Sequence, residues 1–125
     1  MSKEEKNTYT IKTDENLGEV KIADEVVAII AGLAATEVEG VESLGGNITN
    51  EIVSKLGMKN LSKGVKVTVD ESSVLVDITL NLKYGTQIPE VSAKVQEKVK
   101  SAIETMTGLS VTEVNIKVAS VNVEN

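Results

Sequence analysis

The side chains able to do chemistry in this chain of 125 residues are Ser, Thr, Tyr, Lys, Asp and Glu. Histidine and cysteine are absent, which excludes thiolate nucleophiles, disulfides, zinc fingers and a Ser-His-Asp relay. All 13 basic residues are lysines, so the bidentate fork that grips phosphate and guanine is missing. Asp70, Glu71 and Asp77 cluster in sequence on the turn and strand of an expected hairpin. Carboxylates at a turn mostly solvate it, whereas acid–base catalysis needs a pair held in contrasting environments. No GxxxxGK phosphate loop is present. These residues predict no catalytic site, no metal and no cofactor; the chain reads as a protein that acts by binding.

Two patterns carry that reading. Lys55, Lys59, Lys63 and Lys66 occur with no acid among them, a positive island in a chain of net charge −6. It is either a solvated loop or a surface on which Lys55, Lys59 and Lys63 dock an acidic partner or an anionic membrane face. The second pattern is a strip of small residues, Ala28, Gly32 and Ala35, on the back of a helix whose front is also apolar. A helix apolar nearly all round is covered twice. The strip therefore either packs inside the subunit, against a short helix bearing Ile52, Val53 and Leu56, or forms a self-association surface.

The elements that must position these residues follow from periodicity. From Pro89 to Thr107, Val91, Val95, Val99, Ala102, Ile103 and Met106 recur at helical spacing on one arc of about 120°. Pro89 suits a first turn, and Gly108 a left-handed stop. An earlier helix runs from an Asp24 N-cap to about Glu37, with Val26, Val27, Ile30, Leu33, Ala34 and Val38 as its core face. Between the helices, Val65, Val67 and Val69 alternate, as do Val74, Val76, Ile78, Leu80 and Leu82. A tight hairpin through Asp70–Ser73 pairs Val69 with Val74, Val67 with Val76 and Val65 with Ile78, and sets Lys66 opposite Asp77. The last strand contains Val114, Ile116 and Val118, but Val121 and Val123 break parity, which places a bulge or strand end near Ala119-Ser120. Leu17–Ile22 and Val41–Leu44 read as short strands, and Tyr9 with Ile11 allows an edge strand.

The predicted fold is α+β: two layers, a small mostly antiparallel sheet with helices on one face, in β-α-β-(short helix insert)-β-β-α-β order, ferredoxin-like in arrangement. The long helix is expected to cover Val65, Val67, Val76, Ile78 and Leu80. Residues 1–16 read as a flexible polar tail and 17–123 as a single domain. Aromatic residues make up 2% of the chain, two tyrosines, so the core is aliphatic and nucleic-acid stacking is disfavoured. No apolar run reaches membrane-spanning length. The location implied is cytoplasmic.

Several segments resemble the alkaline-shock-protein and general-stress-protein family of Gram-positive bacteria. They are EVEGV (Glu37–Val41), Tyr84-Gly85, Val95-Gln96 and MTGLSVTEVNIKV (Met106–Val118), within a similarity spanning Leu17 to Val123. The resemblance implies a non-enzymatic, cytoplasmic interaction protein. Some members of that family sit at the membrane through a small integral anchor protein and support envelope stress tolerance. Others are linked to acetyl-CoA carboxylase and its control. The expectations are a homo-oligomer with protein partners, no catalytic residues and no cofactor.

Overall fold

A computed structural model describes residues 8–12, 19–45, 64–70 and 72–122. Its elements are β1 (Thr8–Lys12), β2 (Glu19–Ala23), α1 (Asp24–Thr36), β3 (Val41–Leu44), β4 (Val65–Asp70), β5 (Ser73–Lys83), α2 (Ile88–Thr107) and β6 (Ser110–Asn122). Lys55, Lys59, Lys63 and the expected short helix lie outside the described residues, as does Glu71.

β5 is the axis of the main sheet. Every second residue, Val74, Val76, Ile78, Leu80 and Leu82, is fully buried beneath the helices, and the residues between them are half-exposed on the other face. β6 runs parallel to β5 from Ser73 to Lys83, consuming one edge completely. The other edge is shared: β4 pairs antiparallel with Ser73–Ile78, and β3 antiparallel with Leu80–Leu82. The handover between them is tight. Gly45 N–H donates to Thr79 O at 2.9 Å, and a Cβ on Gly64 would stand 2.8 Å from Leu44 Cβ.

The β4–β5 hairpin has the register read from valine parity, including Val67 opposite Val76 and Lys66 opposite Asp77. Asp77 is engaged from the opposite side, where Asn115 Nδ2 donates to its Oδ1 at 3.0 Å. The expected break in β6 is a bulge at Ala119, because Leu80 faces Val118 while Asn81 faces Ser120; a second shift occurs at Thr112. The strand at Glu19–Ala23 pairs antiparallel with β1, the edge strand that Tyr9 and Ile11 allowed, in a separate two-stranded ribbon. The class is the expected α+β, two-layered and mostly antiparallel, with both helices on one face; the exception is the parallel β5–β6 pair, joined by α2.

The helices differ in detail from the sequence reading. α2 packs chiefly over β6 and against α1, while α1 lies over β3 and β4. The expected cover of β4 by α2 is thus supplied by α1, since a parallel crossover sets its helix above the two strands it connects. Val91, Val95, Val99 and Ile103 are buried as predicted, but Met106 is 69% exposed. In the last turn Thr107 takes the inward position instead. Asp24 does not cap α1; Ala23 is the N-cap, without a side-chain hydrogen bond, and Asp24 and Glu25 occupy the first turn, where their charge still opposes the dipole. Gly108 adopts the left-handed cap, φ +78°.

Gly40 holds the junction of three elements. Its φ is +102°, its carbonyl accepts from Lys83 N–H at 2.9 Å, and a Cβ there would stand 2.8 Å from Val91 Cγ2 and 2.9 Å from Thr86 Cγ2. Glycine is required twice, by the dihedral and by the approach of α2.

Two outcomes follow. Gly40→Ala should cost about 2–3 kcal/mol in urea unfolding, since strain and a displaced first turn of α2 add. Val99→Asp should cost at least about 3 kcal/mol, because Val99 is 0% exposed and an unpaired carboxylate would enter the apolar layer. Unchanged unfolding midpoints would contradict both.

Candidate partner-binding surface

The small-residue strip faces the core rather than a partner. Ala28 is 6% exposed and Ala35 0%, Gly32 is buried, and Ala31 and Ala34 join them. Of the residues expected inward, Val27, Ala34 and Val38 are buried, whereas Val26 is exposed and Ile30 and Leu33 are only half-buried. The helix is rotated from the face chosen by hydrophobicity towards the face chosen by size. α2 already fills the shared layer with Val91, Val95, Val99 and Ile103, so alanines let the α1 backbone approach closely. The self-association expectation at Ala28, Gly32 and Ala35 is corrected accordingly, since a second copy has no access to buried side chains.

What the helices leave on the outside is a groove of about 620 Å³ between the turn after α1 and the C-terminal half of α2. Its apolar surface comes from Val38, Ala102 and Met106, with Glu39, Glu97 and Lys98 at the rim. Lys98 Nζ lies 3.5 Å from Glu37 Oε1, an ion pair tying α2 to the end of α1. Lys94 Nζ lies 3.4 Å from Glu90 Oε1, one turn earlier on α2. Both pairs are half-exposed, worth less than about 1 kcal/mol each for stability, but they occupy the groove's cations. Glu39 and Glu97 make no ion pair among the described residues. The arrangement can seat an apolar side chain against Ala102 and Met106 with a positive group beside it. Periodicity placed Met106 in the core, so its exposure was hidden by its agreement with the stripe.

The described members of the acidic cluster lie apart from the groove. Asp70 is exposed at the hairpin turn and Asp77 is bonded to Asn115. Among the described residues no group of three or more Asp or Glu is placed to hold a metal ion. No described helix is long and apolar enough to cross a membrane.

The alkaline shock protein 23 family, described as having cell envelope-related function, matches residues 12–123. YqhY of Bacillus subtilis (strain 168) is 40% identical over 108 residues, which is 86% of this chain and 80% of that protein. A stress response regulator gls24 homolog of Streptococcus pyogenes serotype M3 is 30% identical over 117 residues, 93% of this chain and 65% of that protein. Among solved structures, a MamM CTD variant shares the fold with a TM-score of 0.50 at 11% identity, covering 80% of this chain and 96% of that one.

An internal strip makes a specific demand. Ala28→Gln should lower stability by about 1–3 kcal/mol through overpacking, with no change in assembly before unfolding in light scattering. A folded variant of unchanged stability that dissociates into a smaller species would restore the strip as an interface.

Proposed function

The chain belongs to the alkaline shock protein 23 family, of cell envelope-related function, and from that premise we propose that it is a non-enzymatic scaffold of cell-envelope stress homeostasis. It works through self-association and through a membrane-anchored protein partner that brings it from the cytoplasm to the membrane surface. The observation that carries this reading is the groove between α1 and α2, where Met106 stands exposed beside Glu39 and Glu97, which make no ion pair among the described residues. Exposed methionine offers a soft, adaptable contact, and flanking carboxylates select a partner segment with a cation next to its apolar anchor. The absence of histidine, cysteine and arginine from the chain supports binding over catalysis. The relative named as a stress response regulator supports the same setting.

The groove is tested by affinity capture from the native host with and without detergent, using the wild type and Met106→Glu. Because Met106 is exposed, the variant should unfold within about 0.5 kcal/mol of the wild type. An integral membrane protein should be recovered with the wild type in detergent, and several-fold less with the variant. A soluble acetyl-CoA carboxylase complex recovered in both extracts would replace this reading with control of that enzyme. Equal recovery of the membrane protein by both forms would remove the groove from the interface.

A further inference from the structure

β6 leaves one edge unused. Its partner β5 takes the other along eleven register pairs, and among the described residues no strand pairs with the outer edge. The direction of the outer groups is fixed by one bond: Gln96 Nε2, reaching down from α2, donates to Val114 O at 2.9 Å. That carbonyl therefore points away from β5, and by alternation the N–H and C=O of Val114, Ile116 and Val118 all face outward. The edge is regular only from Glu113 to Ala119, between the shifts at Thr112 and Ala119.

The side chains on this segment are unusual for a single chain. Glu113 and Lys117 are exposed on the polar face; Glu113 Oε2 accepts from Asn115 Nδ2 at 2.9 Å, and neither residue makes an ion pair among the described residues. Four residues apart on one strand, they are roughly 13 Å from one another, too far to pair. On the helix side Ile116 and Val118 are only half-buried, an apolar border at the rim of the sheet.

We propose that this edge pairs antiparallel with β6 of a second copy, centred on Asn115, so that Glu113 of each chain faces Lys117 of the other. The register is selected by geometry and charge together. Antiparallel partners that exchange both backbone hydrogen bonds must both present outward groups, and Val114 opposite Ile116 meets that condition. Moving the centre to Val114 or Ile116 keeps the hydrogen bonds but sets the charges against uncharged residues. Moving it to Glu113 or Lys117 sets like charges face to face. Only the Asn115 centre makes two opposite-charge pairs, at the close Cβ spacing where such pairs act. It also brings Ile116 of each chain beside Val114 of the other. Gln96 releases the Val114 carbonyl, which accepts instead from the second copy's Ile116 N–H. This inference deepens the self-association in the proposed function and rests on it. The opposing role for edge charges is to repel pairing altogether, and the register separates the two.

The test is sedimentation velocity over a concentration series on the full chain, for the wild type, Glu113→Lys, Lys117→Glu and the double exchange, with thermal melts confirming that each is folded. The wild type should form a reversible dimer. Each single reversal places two like-charge pairs across the two-fold axis and should raise the dissociation constant about tenfold. The double exchange should return it close to the wild-type value. A wild type that stays monomeric at millimolar concentration, or a double exchange as weak as the singles, overturns the proposal. Association of equal strength in all four proteins also overturns it, while leaving self-association through another face, and the membrane partner, standing.

Discussion

A strand has two edges, and in this protein all three other strands of the main sheet depend on those of β5. The parallel crossover through α2 commits one edge to β6 over the whole length of β5. β3 and β4 are then forced end to end along the remaining edge, meeting where Leu44, Gly45 and Gly64 approach each other. Gly45 and Gly64, far apart in the sequence, are thereby brought into contact. The same commitment positions the helices. α2 is carried over β6 by the strands it connects, and α1 covers the shared edge.

An aliphatic core sets the second condition. Without phenylalanine or tryptophan, the layer between helices and sheet is filled by residues of nearly uniform, modest size. The branched residues of α2 and β5 supply the bulk, and the alanines of α1 close on them. Close packing in such a layer depends on backbone approach, so glycine and alanine positions matter as much as the large side chains. Gly40 is the clearest instance: α1 ends, β5 ends and α2 begins around it, within contact distance of one another.

Several polar side chains act as structural ties. Thr107 Oγ1 donates to Ile103 O and accepts from Leu109 N–H at the end of α2. Glu104 Oε2 accepts from Val111 N–H, fastening the start of β6 to the helix before it. Across the sheet, Ser120 Oγ donates to Asn81 Oδ1 while Asn81 Nδ2 donates to Ser43 Oγ, lacing three strands together. With polar groups spent this way, the distinctive surfaces are the groove holding Met106 and the outer edge of β6. The two are separate surfaces, so the partner proposed for the groove and the second copy proposed for the edge would not compete.

By itself the sequence determined what is local. Alternating valines specified the hairpin to the residue, because a slip by one would turn every side chain to the wrong face. The α2 stripe and its Gly108 stop, and the parity break that became the bulge at Ala119, were legible for the same reason. Tertiary structure decided what depends on distant volumes and edges. Periodicity saw two apolar faces on α1 and chose the one with more large side chains, whereas the layer beneath α2 takes Val27 together with Ala28, Ala31, Gly32, Ala34 and Ala35. It placed Met106 in line with its neighbours, but Thr107 is the buried residue of that turn. The sharing of β5 and the outward carbonyl of Val114 have no local signal, since hydrogen-bond partners are assigned only when separated strands meet. Hydrophobic period reports which side of an element is buried against something; the shape of that something is set elsewhere in the chain.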